Sequence, residues 1–213
     1  MPLQLECPAY PKVQTLAQRS RVLAMLDAIL SPEWQYRYFS YNQSWSVHQE
    51  MASMRDGAGT HYFMLFVPGG CAIKEFDLDR LQGADFDDLR FVAEVAALAP
   101  EPYQPFFNEP AFVLSETSAI AWFDVERQTW FRVEHPSAQP SSAELMQMVL
   151  GGTPESYVAW ATEYFEVEVP LTAVKQLFSF SPLTPDIVHQ LNADVNMDDL
   201  MEDITEIGYP VEE

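Results

Sequence analysis

The stretch that decides the fold is His61-Tyr62-Phe63-Met64-Leu65-Phe66-Val67-Pro68-Gly69-Gly70-Cys71-Ala72-Ile73-Lys74-Glu75-Phe76. Its first seven residues are apolar on both alternating faces, the pattern of a strand covered on two sides rather than one. Pro68-Gly69-Gly70 supplies a turn and Cys71–Phe76 returns, so the stretch predicts an antiparallel hairpin at the centre of a sheet. Upstream, Asp56-Gly57-Ala58-Gly59 reads as a turn, Met51-Ala52-Ser53-Met54 as strand, and Trp34-Gln35-Tyr36-Arg37-Tyr38-Phe39-Ser40-Tyr41 has strand composition. Downstream, Ile120-Ala121-Trp122-Phe123-Asp124 and Thr129-Trp130-Phe131-Arg132-Val133 flank Val125-Glu126-Arg127-Gln128 as a second hairpin. Strands at 34–41, 61–67, 71–76, 119–124 and 129–133 are therefore expected in one antiparallel, aromatic-rich sheet.

Helical patterns lie on either side. Val13, Leu16, Leu23, Leu26 and Leu30 recur near helical spacing over 12–30, predicting an amphipathic helix that Pro32 ends. Its basic residues Lys12, Arg19 and Arg21 are placed to offset acidity elsewhere. Residues 77–110, broken by prolines and acids, predict an irregular connection with a short helix at 88–98. After Pro140 the period is helical. Thr153-Pro154-Glu155 and Thr184-Pro185-Asp186 each combine a hydroxyl N-cap, a proline at the first helical position and an acid at the positive end of the dipole. Tyr157, Trp160, Ala161, Tyr164 and Phe165 form one stripe. Asp198 is expected to cap a last helix ending at Gly208. The class is α+β: a single domain over 1–213, with a sheet-containing part at 1–135 and a helical acidic subdomain at 141–213.

Charge divides the same way. Residues 1–90 carry 8 Lys/Arg against 11 Asp/Glu, whereas residues 91–213 carry 3 against 21, which accounts for most of the net −21. From Val133 onward Lys175 is the only basic side chain among 15 carboxylates. Such a surface repels nucleic acid and anionic lipid and attracts basic partners, or simply keeps the protein in solution. With 48% hydrophobic residues and 28 aromatics in 213, the acidity decorates a folded body rather than a disordered chain. The start, Met1-Pro2-Leu3-Gln4-Leu5-Glu6-Cys7-Pro8, lacks the basic and apolar segments of a secretory signal, and no apolar run approaches the ~18 residues of a span. Two cysteines, Cys7 and Cys71, make no disulfide framework. A soluble cytoplasmic protein is expected.

Catalytic motifs are scarce. Cys71 after two glycines invites a thiol nucleophile with His61 or His48 as base. If the turn centres near Gly69, Cys71 faces Val67 and His61 falls near Phe76, roughly 15 Å or more from the thiol at ~3.3 Å per residue. A buried structural cysteine is the favoured reading. His48, His61, His135 and His189 lack metal-ligand spacing. Among the acid pairs Asp77/Asp79, Asp85/Asp87/Asp88 and Asp194/Asp198/Asp199, the last fails as a calcium loop because Asp199 and Thr205 stand where glycine and glutamate belong. No metal site or cofactor is expected. Gly57-Ala58-Gly59 is not a dinucleotide loop, and no phosphate loop or nucleophile elbow occurs. A glycosidase needs only two well-placed carboxylates, with Glu50 the first candidate. Trp34, Tyr36, Tyr38, Tyr41 and Trp45 could stack on bases or sugars, but only Arg37 interleaves them, so sheet packing is preferred. Arg37 and Arg55, cations in apolar strand surroundings, are expected to bond Glu50 or Asp56, with a binding site as the lesser reading.

Tyr36-Arg37-Tyr38-Phe39-Ser40, Met51-Ala52-Ser53-Met54-Arg55-Asp56-Gly57 and Lys74-Glu75-Phe76-Asp77 resemble an uncharacterised family of acidic bacterial proteins. The likeness continues weakly into Tyr157-Val158-Ala159-Trp160-Ala161 and Glu206-Ile207-Gly208-Tyr209-Pro210. Glu75 and Leu78-Asp79 depart from a family pattern that tends to glycine and then His-Glu, so no site built on that pair carries over. The resemblance implies a bacterial cytosolic origin and no activity. Size and acidity are similar to those of immunity proteins that neutralise basic toxins, an analogy only. The functional expectation is a non-catalytic acidic binding protein, of immunity or adaptor type, docking a basic protein through Glu163, Glu166, Glu168, Asp198, Asp199, Glu202 and Asp203. The alternative is a hydrolase using acidic residues in a cleft beside the sheet.

Overall fold

A computed structural model describes residues 4–6, 10–81, 89–140 and 144–212. In chain order the elements are β1 (Gln4–Glu6), α1 (Val13–Leu30), β2 (Phe39–Ser46), β3 (Gln49–Arg55), β4 (Thr60–Val67), β5 (Gly70–Asp77), α2 (Leu89–Ala96), α3 (Gln104–Phe107), β6 (Ala119–Asp124), β7 (Thr129–Glu134), α4 (Glu144–Gly151), α5 (Pro154–Phe165), α6 (Leu171–Phe178), α7 (Pro185–Leu191) and α8 (Met197–Ile207). The strands form one antiparallel sheet in the order β1-β7-β6-β5-β4-β3-β2.

Both faces of the central strands are covered, as the apolar run 61–67 requires. Tyr62, Met64, Phe66, Cys71, Ile73, Ala121 and Trp130 pack with α1 and the C-terminal helices. The alternate residues Phe63, Leu65, Ala72, Ile120, Trp122, Phe131 and Val133 pack under α2, α3 and the irregular 98–114 segment. The connection read as irregular is thus the second cover of the sheet. No helix among the described residues is long and apolar enough to cross a membrane.

Four expectations are corrected. Residues 34–36 are a single 3-10 turn and the strand begins at Phe39, running on to Ser46. Side chains compete there with ladder formation: the Asp27 carboxylate accepts from Tyr38 N and Phe39 N at 2.9 and 3.0 Å, and the Arg37 guanidinium donates to the carbonyls of Ser31 and Pro32, each at 2.7 Å. The β4–β5 turn is one residue tighter than assumed, pairing Cys71 with Phe66, although His61 does face Phe76. α1 is not amphipathic in its second half: every residue from Val22 to Ile29 is buried, because the sheet lies on one side and α4, α6, α7 and α8 on the other. Asn196, not Asp198, caps α8, its Oδ1 accepting from Asp198 N at 3.0 Å. The caps at Thr153 and Thr184 stand as expected; Thr153 closes a reciprocal capping box with Ser156.

Candidate functional site

The acidic residues singled out lie on α8 and at the end of α5. In α8 the 3.6-residue repeat turns Leu200, Ile204 and Ile207 into the core and leaves Asp198, Asp199 and Glu202 exposed. Its left-handed stop is Gly208 (φ 68°). In α5, Tyr157 and Ala161 are buried while Glu163 is exposed; Glu166 ends the helix at φ 55°, and Glu168 follows, exposed. None of these six carboxylates forms an ion pair among the described residues. Lys175 is spent on Glu155 at 2.8 Å. Arg19 donates to the terminal carbonyls of α4 at Val149 and Leu150, and Arg21 pairs with Glu50.

Asp203 differs. It is held by Arg37 through two parallel bonds of 2.6 and 3.0 Å, so Arg37 bonds neither Glu50 nor Asp56. Glu50 is bonded by Arg21 and Tyr41. Asp56 caps its own turn, accepting from Ala58 N and Thr60 N at 2.8 Å. On the other flank of the same 31–38 turn, the Tyr164 hydroxyl donates to the Tyr36 carbonyl at 3.1 Å, and the Tyr38 ring packs edge-on against Tyr164 and Trp160 with centroids 4.4 and 5.1 Å apart. The turn therefore joins the two acidic helices. Trp34 and Tyr36 on it are exposed, against the expectation of sheet packing, which holds for Tyr41. Arg55 is not part of this arrangement; it lies over the Phe63 ring on the opposite face of the sheet, 5.1 Å from its centroid.

Two polar clusters escaped the sequence reading. Lys74 is fully buried, and its ammonium donates to the carbonyls of Phe112 and Val113, each at 3.0 Å, and meets His61 Nε2 at 2.6 Å. Burial lowers Lys74 to about 7, with Arg55 adding and Glu116 opposing. Burial, then the Lys74 and Arg55 charges, lowers His61 to about 4. At neutral pH Glu116, 3.7 Å away, thus faces an uncharged ring. The second cluster is on the other face. Arg132 bonds Glu75, the Tyr10 hydroxyl (2.6 Å) and Glu134 (2.6 Å), and Arg80 bonds Glu134 at 2.5 Å. These groups line a cleft of about 330 Å³. Burial alone would raise Glu134, but the Arg132 and Arg80 guanidiniums hold it below its ordinary value. The signal was present: adjacent Lys74 and Glu75 in a strand covered on both sides must point to opposite faces, and each needs a buried partner.

Cys71 has no exposure, and burial pushes its thiol well up, the opposite of an activated nucleophile. Among the described residues no three His, Cys, Asp or Glu side chains converge as metal ligands. Asp77 caps the turn after β5 through Asp79 N and Arg80 N; Asp85, Asp87 and Asp88 lie outside the described residues, as does Cys7.

No family model matches the chain, and no curated protein or solved structure matches it either.

Proposed function

We propose that the protein is a non-catalytic, acidic binding protein of the cytoplasm that docks a basic protein partner, in the manner of an immunity or adaptor protein. One observation carries the reading: Glu163, Glu166, Glu168, Asp198, Asp199 and Glu202 are exposed and without an ion pair among the described residues, on or just beyond two helices braced against one turn. Nearby cations are committed elsewhere, Lys175 to Glu155, Arg37 to Asp203 and Arg19 to α4 carbonyls. The field of the face is left to act on a partner, speeding encounter over a Debye length of ~10 Å at 0.1 M salt. The same sign disfavours nucleic acid and anionic membranes.

The test is capture of partners from native cytosol at low salt by wild type and by a variant carrying Asp198→Lys, Asp199→Lys and Glu202→Lys. Asp203 is kept, because reversing it would set two cations against each other. The reading expects a partner set that thins as salt rises and is lost by the variant. Full retention by the variant, with unchanged salt dependence, would reduce the acidity to a solubilising surface.

A hydrolase reading draws on the Glu75/Glu134 cleft. It is the weaker one, since a general acid needs a raised pKa and two guanidiniums hold Glu134 down.

A further inference from the structure

The turn that joins the two acidic helices carries exposed aromatic side chains. Trp34 and Tyr36, on the 3-10 turn between α1 and β2, are 62% and 54% exposed, and Tyr164 beside them is 38% exposed. Aromatic side chains left this open contribute little to the core, yet they supply large contact area with few rotatable bonds. The backbone carrying them is braced. Arg37 N closes the turn on the Trp34 carbonyl at 3.1 Å, the Arg37 side chain ties it to Ser31, Pro32 and Asp203, and Tyr164 holds the Tyr36 carbonyl. Little ordering is left for a partner to impose, which is how a small patch comes to dominate binding. Carboxylates neighbour it in the chain and on the helices it joins: Glu33 just before the turn, Glu163 and Glu166 on either side of Tyr164 in the sequence, and Asp199 and Glu202 on the helix that Asp203 anchors.

Rings framed by carboxylates select among cations. A lysine ammonium is compact and strongly hydrated, whereas a guanidinium is planar, weakly hydrated and able to lie on a ring while its edge bonds a carboxylate. Resting on the reading of a basic protein partner, we infer that the Trp34/Tyr36 turn is the anchor of the acidic face and takes arginine side chains of that partner in preference to lysine.

The experiment uses the full chain and two fluorescein-labelled probes of equal charge, nona-arginine and nona-lysine, titrated by anisotropy across a salt series. Both peptides should bind and weaken with salt, nona-arginine by about fivefold or more the tighter. Trp34→Ala combined with Tyr36→Ala should bring nona-arginine down to the lysine value and leave nona-lysine unmoved. Far-UV circular dichroism and the denaturation midpoint of the double variant should match wild type, since both side chains are exposed. Equal affinities in wild type, or an arginine preference that survives the double substitution, would overturn the anchor while leaving the basic-partner reading in place. Failure of both peptides to bind at low salt would remove both. Concentration-dependent self-association of the wild type that the double variant loses would assign the patch to a second copy of the chain and overturn the arginine assignment.

Discussion

Arg37 and Asp203, 166 positions apart, meet in a two-pronged ion pair that fastens the turn before β2 to the last helix. Their side chains are 7% and 23% exposed, so each is largely withdrawn from water and neither finds an equivalent partner if the other is lost. Asp203→Ala should cost about 1–3 kcal/mol. Arg37→Ala should cost more, because the carbonyls of Ser31 and Pro32 lose their donor as well. Arg37→Lys should recover little, since one ammonium cannot span both carboxylate oxygens and both carbonyls. Urea midpoints of the three variants check the order; a fully rescuing lysine would show that only charge matters here.

Asp27 gives the fold a pH dependence with a definite sign. Its carboxylate is fully buried and accepts from the Tyr157 hydroxyl and two backbone amides, yet desolvation outweighs those bonds and raises it from 3.8 to about 7. The folded state then holds a proton that the unfolded state releases near its ordinary value. Stability from this group is full below about pH 4, falls as pH rises towards 7, and is flat above, by an amount on the order of 4 kcal/mol. Asp27→Asn keeps an acceptor for the two amides and removes the titration. Its stability relative to wild type should therefore climb between pH 4 and 7. A difference that stays constant with pH would reject the assignment. Taking that difference cancels His61, whose lowered pKa acts in the opposite direction below about 6.5.

Cys71 should be chemically silent in the native state. In a Cys7→Ala background, a disulfide reagent such as dithionitrobenzoate is expected to label Cys71 only across the denaturation transition. Labelling at native rates would mean that the β5 core opens locally. Cys71→Ala should leave partner capture unchanged.

Gly70 opens β5 against Tyr103, whose hydroxyl donates to the Phe123 carbonyl at 2.5 Å. A Cβ at Gly70 would overlap that hydroxyl. Gly70→Ala should destabilise by about 1–3 kcal/mol through overpacking. Paired with Tyr103→Phe, which removes the clashing oxygen, it should cost less than the two single changes added together. Additivity in calorimetric unfolding would place the strain elsewhere.

Much of the architecture was legible because it rests on local periodicity and turn chemistry. The run 61–67 announced a doubly covered strand, and Thr153 and Thr184 announced their helices. What was not legible depended on distant partners. Nothing near Arg37 names Asp203, and nothing near Val22–Ile29 shows that the sheet and four later helices close around that helix. The 34–36 turn was misread because strand propensity in Trp34 and Tyr36 was overridden by bonds from Asp27 and Arg37. In the candidate site the exposed acids Glu163, Asp198, Asp199 and Glu202 lie opposite the apolar positions of their helices, whereas Glu166 and Glu168 stand beyond the end of α5. The one carboxylate among them that is withdrawn, Asp203, required the tertiary contact.

The burial of the second half of α1 on all sides has a consequence for biosynthesis. This helix leaves the ribosome early, but α4, α6, α7 and α8, which close over it, are made last. Through most of translation Leu23, Leu26 and Ile29 have at most the nascent sheet for cover, so a chain halted before residue 144 presents an apolar surface suited to chaperone capture or aggregation. The last third of the polypeptide, for all its carboxylates, is the lid that makes the first helix soluble.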